Sequence, residues 1–215
     1  MSPSDRYDTS NMTEDQFEPG SDATVLKNLM SIKSRDEMEV AETAELWLAQ
    51  ESLIETVQED QTFTAEDICS MHRLWLGKIY PWAGVYRQVN VSKDEFHFAS
   101  ANAVPGLMAE FERAQLGRYT PCCFDDHDEV ALALAEVHVE LMLIHPFREG
   151  NGRLGRLLAT LMALQAGLPP LDFSEMAGHL REDYFAAVRI GMDRDYQPMK
   201  RLFNDVIEKT LWQSR

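Results

Sequence analysis

The chain is poor in the residues that build secreted disulfide scaffolds, membrane spans and nucleic-acid surfaces. Its 215 residues hold three cysteines, Cys69 and the adjacent Cys122 and Cys123. That pattern gives neither a disulfide framework nor paired Cys-x-x-Cys metal spacing, and a reducing cytoplasm is the simplest compartment for it. No run of about 18 apolar residues is present to span a bilayer. No N-terminal apolar stretch resembles a signal peptide, although export by a route that needs none stays open. Basic residues are scarce: 20 Lys and Arg against 36 Asp and Glu leave a net charge of −16. Phosphate backbones and anionic membranes are bound by clustered Lys and Arg, so neither nucleic acid nor membrane is an expected partner. The acids solvate the surface, or suit a basic protein partner. Internal repeats, low-complexity tracts, Walker and Rossmann glycine patterns, and histidine pairs at metal-ligand spacing are also absent. His138 and His145 stand seven apart, which favours a structural role for His138 over zinc binding.

What is present reads as one helical domain. Residues 1–22 are polar and nearly without aliphatics, and are expected to form a mobile tail; residues 23–215 form the single domain. Ser34-Arg-Asp-Glu37 and Thr64-Ala-Glu-Asp67 each read as a cap opening a helix. Val85–Phe98 alternates in strand fashion around a turn at Ser92–Glu95. Ala101–Leu116 returns to helix. Asp128–Ile144 is apolar almost all round and should be the central buried helix. Asn151–Gln165 is the next, stopped by Gly167 and Pro169–Pro170. Two more helices are expected, at about Ser174–Met192 and Gln197–Trp212. The fold class is all-α, a helical bundle with one small β-hairpin.

Between the two most apolar helices lies His145-Pro-Phe-Arg-Glu-Gly-Asn-Gly-Arg-Leu-Gly-Arg156. This run combines a possible base, a hard carboxylate, a glycine-flanked turn and arginines, all of which a polyphosphate ligand needs. A helix starting there presents unpaired N–H groups and positive dipole at Gly150–Gly152. Without Cβ atoms, Gly150 and Gly152 let the backbone approach a phosphate. Arg153 and Arg156 are three apart and share a helix face. Arginines at 148, 153 and 156 run against the acidic background, as at an anion site. Each residue also has an ordinary reading: His145 as a helix C-cap, Asn151 as an N-cap, Glu149 as a dipole partner, and Arg148 as a solvated charge. Phe147 reads as a core anchor.

The run resembles the signature of the Fic (filamentation induced by cAMP) family, His-Pro-Phe-x-(Asp/Glu)-Gly-Asn-Gly-Arg-x-x-Arg, at every fixed position. Tyr80-Pro-Trp-Ala-Gly-Val-Tyr-Arg87 is similar to the family's Trp-Ala-Gly segment, and the resemblance extends from roughly Glu18 to the C-terminus. It implies a Fic-like bundle whose hairpin is a target-docking flap, carried here by Val89, Asn90, Val91, Phe96, His97 and Phe98. Phe96 and Phe98 fit a core role equally well. It further implies transfer of AMP from ATP to a Ser, Thr or Tyr hydroxyl of a target protein. His145 would be the general base, and Glu149 would hold Mg²⁺. Gly150, Asn151 and Gly152 would cradle the α-phosphate, with the Asn151 side chain as a donor. Arg153 and Arg156 would hold the outer phosphates.

Gly152 bears on the reaction, because the Doc relatives that act as kinases carry Lys there. A Doc-like kinase remains an alternative, as does a non-catalytic module that binds a nucleotide or partner; a metal-dependent phosphohydrolase would need further carboxylates. The family's inhibitory (Ser/Thr)-x3-Glu-(Gly/Asn) element has no good match. Ser10…Glu14 and Thr62…Glu66 have the spacing but are each followed by Asp. Inhibition is therefore expected from a separate antitoxin-like protein or from homo-oligomerisation, with constitutive activity as the alternative.

Overall fold

The computed structural model describes residues 12–93 and 96–214. Its elements run α1 (Arg35–Thr56), α2 (Ala65–Leu76), β1 (Ser92–Lys93), β2 (Phe96–His97), α3 (Val104–Phe111), α4 (Gly117–Tyr119), α5 (His127–Ile144), α6 (Asn151–Gln165), α7 (Ser174–Ala177), α8 (Arg181–Ile190) and α9 (Gln197–Gln213). The architecture is the expected helical bundle with one two-stranded hairpin. Among the described residues, no helix is long and apolar enough to cross a membrane.

Local chemistry sets the helix starts. The Ser34 hydroxyl accepts the Glu37 N–H to open α1. At α2, Thr64 and Asp67 satisfy each other's backbone N–H groups at 3.1 and 2.8 Å, a reciprocal cap. Helix α5 is buried over most of Val130 to Ile144, with Leu132, Glu136, Glu140 and Leu143 only partly covered, and is flanked by α6 and α9. Burying α5 on nearly all sides is the main apolar contribution to stability, at roughly 25 cal/mol per Å² removed from water.

Several expectations are corrected. The segment expected as one helix over Ser174–Met192 is two, α7 and α8. Gly178 breaks it by adopting φ −98°, ψ −113°, outside the helical region. The 101–116 helix begins in a 3-10 turn at Ala101–Ala103, and a π-helical turn at Glu112–Leu116 separates α3 from α4. Residues 1–11 of the expected tail lie outside the described residues, but residues 12–22 pack on the domain. Glu14 is buried and its Oε1 accepts the Gln88 N–H at 2.7 Å. Phe17 bridges to Leu26. These polar contacts offset the ordering entropy that composition alone leaves uncompensated.

The hairpin is also far shorter than the alternation over 85–98 suggests. Among the described residues only Ser92–His97 and Lys93–Phe96 are paired strand positions, so Ser92 and Lys93 are strand residues and not the turn. The physical reason is Arg87, which is 1% exposed. Its guanidinium donates to Val89 O at 2.8 Å and Ala99 O at 2.5 Å, on the two stems of the hairpin. Further donations reach His145 O at 2.7 Å and Ile144 O at 3.3 Å, and its backbone N–H reaches Pro146 O at 2.9 Å. Beyond the inter-stem bond from Phe98 N–H to Val91 O at 3.3 Å, the Val89 and Ala99 carbonyls turn to the buried cation in place of the opposite stem.

Arg87→Met keeps the stem and removes the donors, stranding carbonyls on three segments. We expect a loss of about 2–4 kcal/mol in urea unfolding; a change below about 0.5 kcal/mol would show that water replaces the guanidinium.

Candidate active site

Helix α5 ends at His145, whose backbone is left-handed (φ 51°, ψ 62°) and whose N–H still reaches Leu141 O. The chain then turns through Pro146–Gly150 and enters α6. This loop is tightly held. Asn151 is buried and clamps Phe147 from both sides: its Oδ1 accepts the Phe147 N–H at 2.9 Å and its Nδ2 donates to Phe147 O at 2.8 Å. The amide closes the loop with its oxygen and one Nδ2 hydrogen, which leaves the second Nδ2 hydrogen and the backbone N–H as donors toward the cleft that Asn151 lines. Phe147 is the expected core anchor, fully buried and stacked on His72 at 3.9 Å. His72 in turn accepts the Gly84 N–H at Nδ1 and donates from Nε2 to Glu149 O. It thus joins the Trp82-Ala-Gly84 segment to the signature loop.

Gly150, with φ 86°, caps α6 in a conformation suited to glycine. A Cβ there would stand 2.8 Å from the Trp75 ring. At Gly152 a Cβ would meet only the Arg156 guanidinium, at 3.7 Å. Gly152 therefore answers to what approaches the helix from the cleft, and not to protein packing.

A cleft of about 740 Å³ opens at this corner. His145, Glu149, Gly150, Asn151, Gly152, Arg153 and Arg156 all line it, so the structure brings the signature residues together. Six cations face it, Lys93, Arg148, Arg153, Arg156, Arg181 and Arg189, against two carboxylates, Glu149 and Glu182. In a chain of net charge −16, that inversion focuses positive potential where a polyanion would enter.

The half-buried His145 ring stacks on Phe98 at 3.7 Å. Its Nδ1 lies 3.2 Å from Met142 O, an acceptor, which places the proton on Nδ1 and the lone pair on Nε2. Burial, reinforced by the Arg87 and Lys93 charges, lowers its pKa to about 4. The ring is therefore a neutral acceptor at neutral pH.

The two signature arginines differ. Arg153 is engaged: Nη2 lies 2.5 Å from Glu42 Oε2 and 3.5 Å from Glu149 Oε1, and the guanidinium sits over Trp75 at 4.7 Å. Glu42 is itself buried and its other oxygen accepts from the Tyr80 hydroxyl at 2.7 Å. Arg156 has no carboxylate within ion-pair distance among the described residues. Burial lowers its pKa, with the neighbouring Arg153 adding to this. Beneath it, His138 bonds the Tyr184 hydroxyl at 2.9 Å. Burial and Arg156 hold the His138 pKa down to about 3, so it adds no competing charge.

Glu149 is about half exposed, and its Oε1 accepts the Gly150 N–H at 2.9 Å. Among the described residues no group of three or more His, Cys, Asp or Glu could hold a metal by itself. A lone carboxylate beside an anion cleft fits Mg²⁺, which is held by one or two carboxylates together with substrate phosphates.

The expected flap residues divide. Val91, Phe96 and Phe98 line the cleft, and His97 is exposed. Val89 is buried, with its carbonyl held by Arg87, so it is packing and not docking surface. The Asn90 Oδ1 accepts the Ala101 N–H at 2.9 Å and fixes the flap's far stem. The opposite wall went unread in the sequence. Lys93 and Arg181 both lie over the Phe185 ring, at 3.6 and 5.5 Å, joining flap to α8. No motif marks these positions. Arg148 is no solvated charge either: it pairs with Asp15 at 3.6 Å. Neither Glu14 nor Glu66 pairs with a signature arginine among the described residues; Glu42 does.

Residues 62–163 match the model of the Fic/DOC family. That match covers just under half of the chain, and over it the chain is similar to the family. It is 28% identical over 195 residues to the protein adenylyltransferase Fic of Drosophila ananassae, across 87% of this chain and 36% of that protein. The Drosophila melanogaster counterpart matches at 28% over the same share of this chain and 37% of its own length. The chain thus spans little more than a third of these curated relatives. In fold it is similar to BepC, a VirB-translocated effector of Bartonella tribocorum solved with bound AMPPNP. The TM-score is 0.74 at 24% identity, covering 91% of this chain and 97% of that one. Fic-1 of C. elegans aligns at 26% identity with a TM-score of 0.61, covering 81% of this chain and 50% of that one.

Two outcomes follow for this domain. Gly150→Ala should cost about 2–4 kcal/mol through φ strain and the Trp75 clash, read as a lowered Tm. His72, His138 and His145 have folded pKa values of about 4, 3 and 4, below the unfolded value near 6.5. Between those limits the unfolded chain binds more protons, so stability is full above pH 6.5 and is lost as pH falls toward 4. Urea unfolding should show clearly lower stability at pH 4.5 than at pH 7; a flat profile would contradict neutral histidines in the fold.

Proposed function

We propose that this chain is a Fic-family protein adenylyltransferase, transferring AMP from ATP to a hydroxyl of a target protein. The observation that carries this reading is the neutral His145 Nε2 facing the same cationic cleft as the unpaired Arg156. The flap lies beside them, through Phe98. The adenylyltransferase name of the Drosophila relatives and the AMPPNP bound to the BepC relative support it.

Each residue then has a task. The target's Ser, Thr or Tyr oxygen attacks the α-phosphorus while its proton passes to Nε2 of His145. The bond from the α-phosphorus to the bridging oxygen breaks, and pyrophosphate leaves. A base with a pKa near 4 is weak, but an incoming polyanion beside the ring would raise it toward the working range. Backbone N–H groups at Gly150–Gly152 aim at the α-phosphate from the α6 N-terminus. Arg156 takes the outer phosphates, and Arg153 offers the donors that Glu42 and Glu149 leave free. Mg²⁺, held by Glu149 and the phosphates, would neutralise charge on the leaving group. The flap edge at Val91–Lys93 and Phe96–Phe98 pins an extended target segment.

A cell lysate supplies the target for the test. With ATP labelled at the α-position, protein label is expected, and His145→Ala should reduce it by at least about 10²-fold. Label retained from γ-labelled ATP would instead identify a kinase, and free phosphate without protein label a hydrolase. Absence of all three with ATP still bound would favour a non-catalytic module.

A further inference from the structure

Helix α1 is apolar on two faces, and only one is used by the fold. Met38 and Ala49 are buried inward, with Glu42 between them reaching Arg153. On the outward face Val40, Trp47 and Leu48 are 70%, 64% and 52% exposed. Their spacing of i, i+7 and i+8, with Ala44 between, forms a continuous stripe along one side of the helix. Single exposed apolar residues are ordinary, but a stripe at helical spacing with an exposed tryptophan is the pattern that receives another helix. Tryptophan is also the residue type that most often dominates interface energetics.

The charges around the stripe select the occupant. Asp36, Glu37, Glu39, Glu51 and Glu55 are all exposed on the same helix, and Arg35 is its only base. A second copy of this chain laid against the stripe would bring two acidic rows together, which works against self-pairing. We infer that the outer face of α1 docks an amphipathic helix of another protein whose apolar stripe is flanked by Lys and Arg. The face is separate from the cleft and does not depend on the transfer reaction. It is nonetheless one helix thickness, about 10 Å, from the clamp on Arg153.

The probe is a fluorescein-labelled helical peptide of about three heptads with Leu at the a and d positions and Lys at e and g. Its counterpart carries Glu in place of every Lys. Anisotropy is followed with the full chain at about 150 mM salt, where long-range attraction is screened. Wild type should bind the Lys peptide saturably at one site and bind the Glu peptide at least tenfold more weakly. The surface variant V40S/W47S, with Tm and ATP affinity checked as unchanged, should lose about tenfold or more for the Lys peptide. No saturable binding, equal binding of the two peptides, or equal binding by the variant would each overturn the proposal. So would a wild-type dimer in sedimentation that V40S/W47S dissolves, because the occupant would then be a second copy.

Discussion

A single buried guanidinium ties the working parts of this domain together. Among the described residues Arg87 has no carboxylate within ion-pair distance, and its charge is met by carbonyls, two of them at the negative end of the α5 dipole. The bonds to Val89 and Ala99 fix both stems of the flap to that same helix end. The residue that carries the imidazole and the hairpin that would carry a target are therefore positioned by one side chain. Breaking it would leave several acceptors unpaired in a dry environment, where each costs about 1–3 kcal/mol.

A second layer of order comes from α1 and α2. The Trp75 indole donates to Glu42 O, covers Arg153, and abuts Gly150. Tyr80 holds the Glu42 carboxylate, and the carboxylate holds Arg153. The two signature arginines are thus unequal despite sharing a helix face. One is fixed in a buried ion pair, expensive to break from one side only. The other has no carboxylate within ion-pair distance among the described residues, and being buried it has much to gain from a phosphate.

Much of this was legible in advance. The helix starts at Ser34 and Thr64 followed from capping chemistry, and the burial of α5 from its uninterrupted apolar surface. The signature named the cleft-lining residues from His145 to Arg156 because backbone N–H groups, glycines and arginines at that spacing have few other uses. What failed did so for identifiable reasons. Alternation over 85–98 predicted a long hairpin because it could not register that Arg87 would capture the ladder's carbonyls. The polar composition of residues 12–22 concealed that Glu14 and Asp15 had partners 74 and 133 positions away at Gln88 and Arg148.

By itself, the sequence determined the helical class and the position of the glycine- and arginine-bearing turn that lines the cleft. These depend on local periodicity, caps and a contiguous run of twelve residues. Only the tertiary structure decided which arginine is free, which carboxylate restrains the other, and how α8 and Lys93 complete the far wall of the cleft. Those outcomes depend on contacts between residues distant in the chain. Nothing in local spacing encodes them, because the side chains meet only after α1, α2 and α6 have packed.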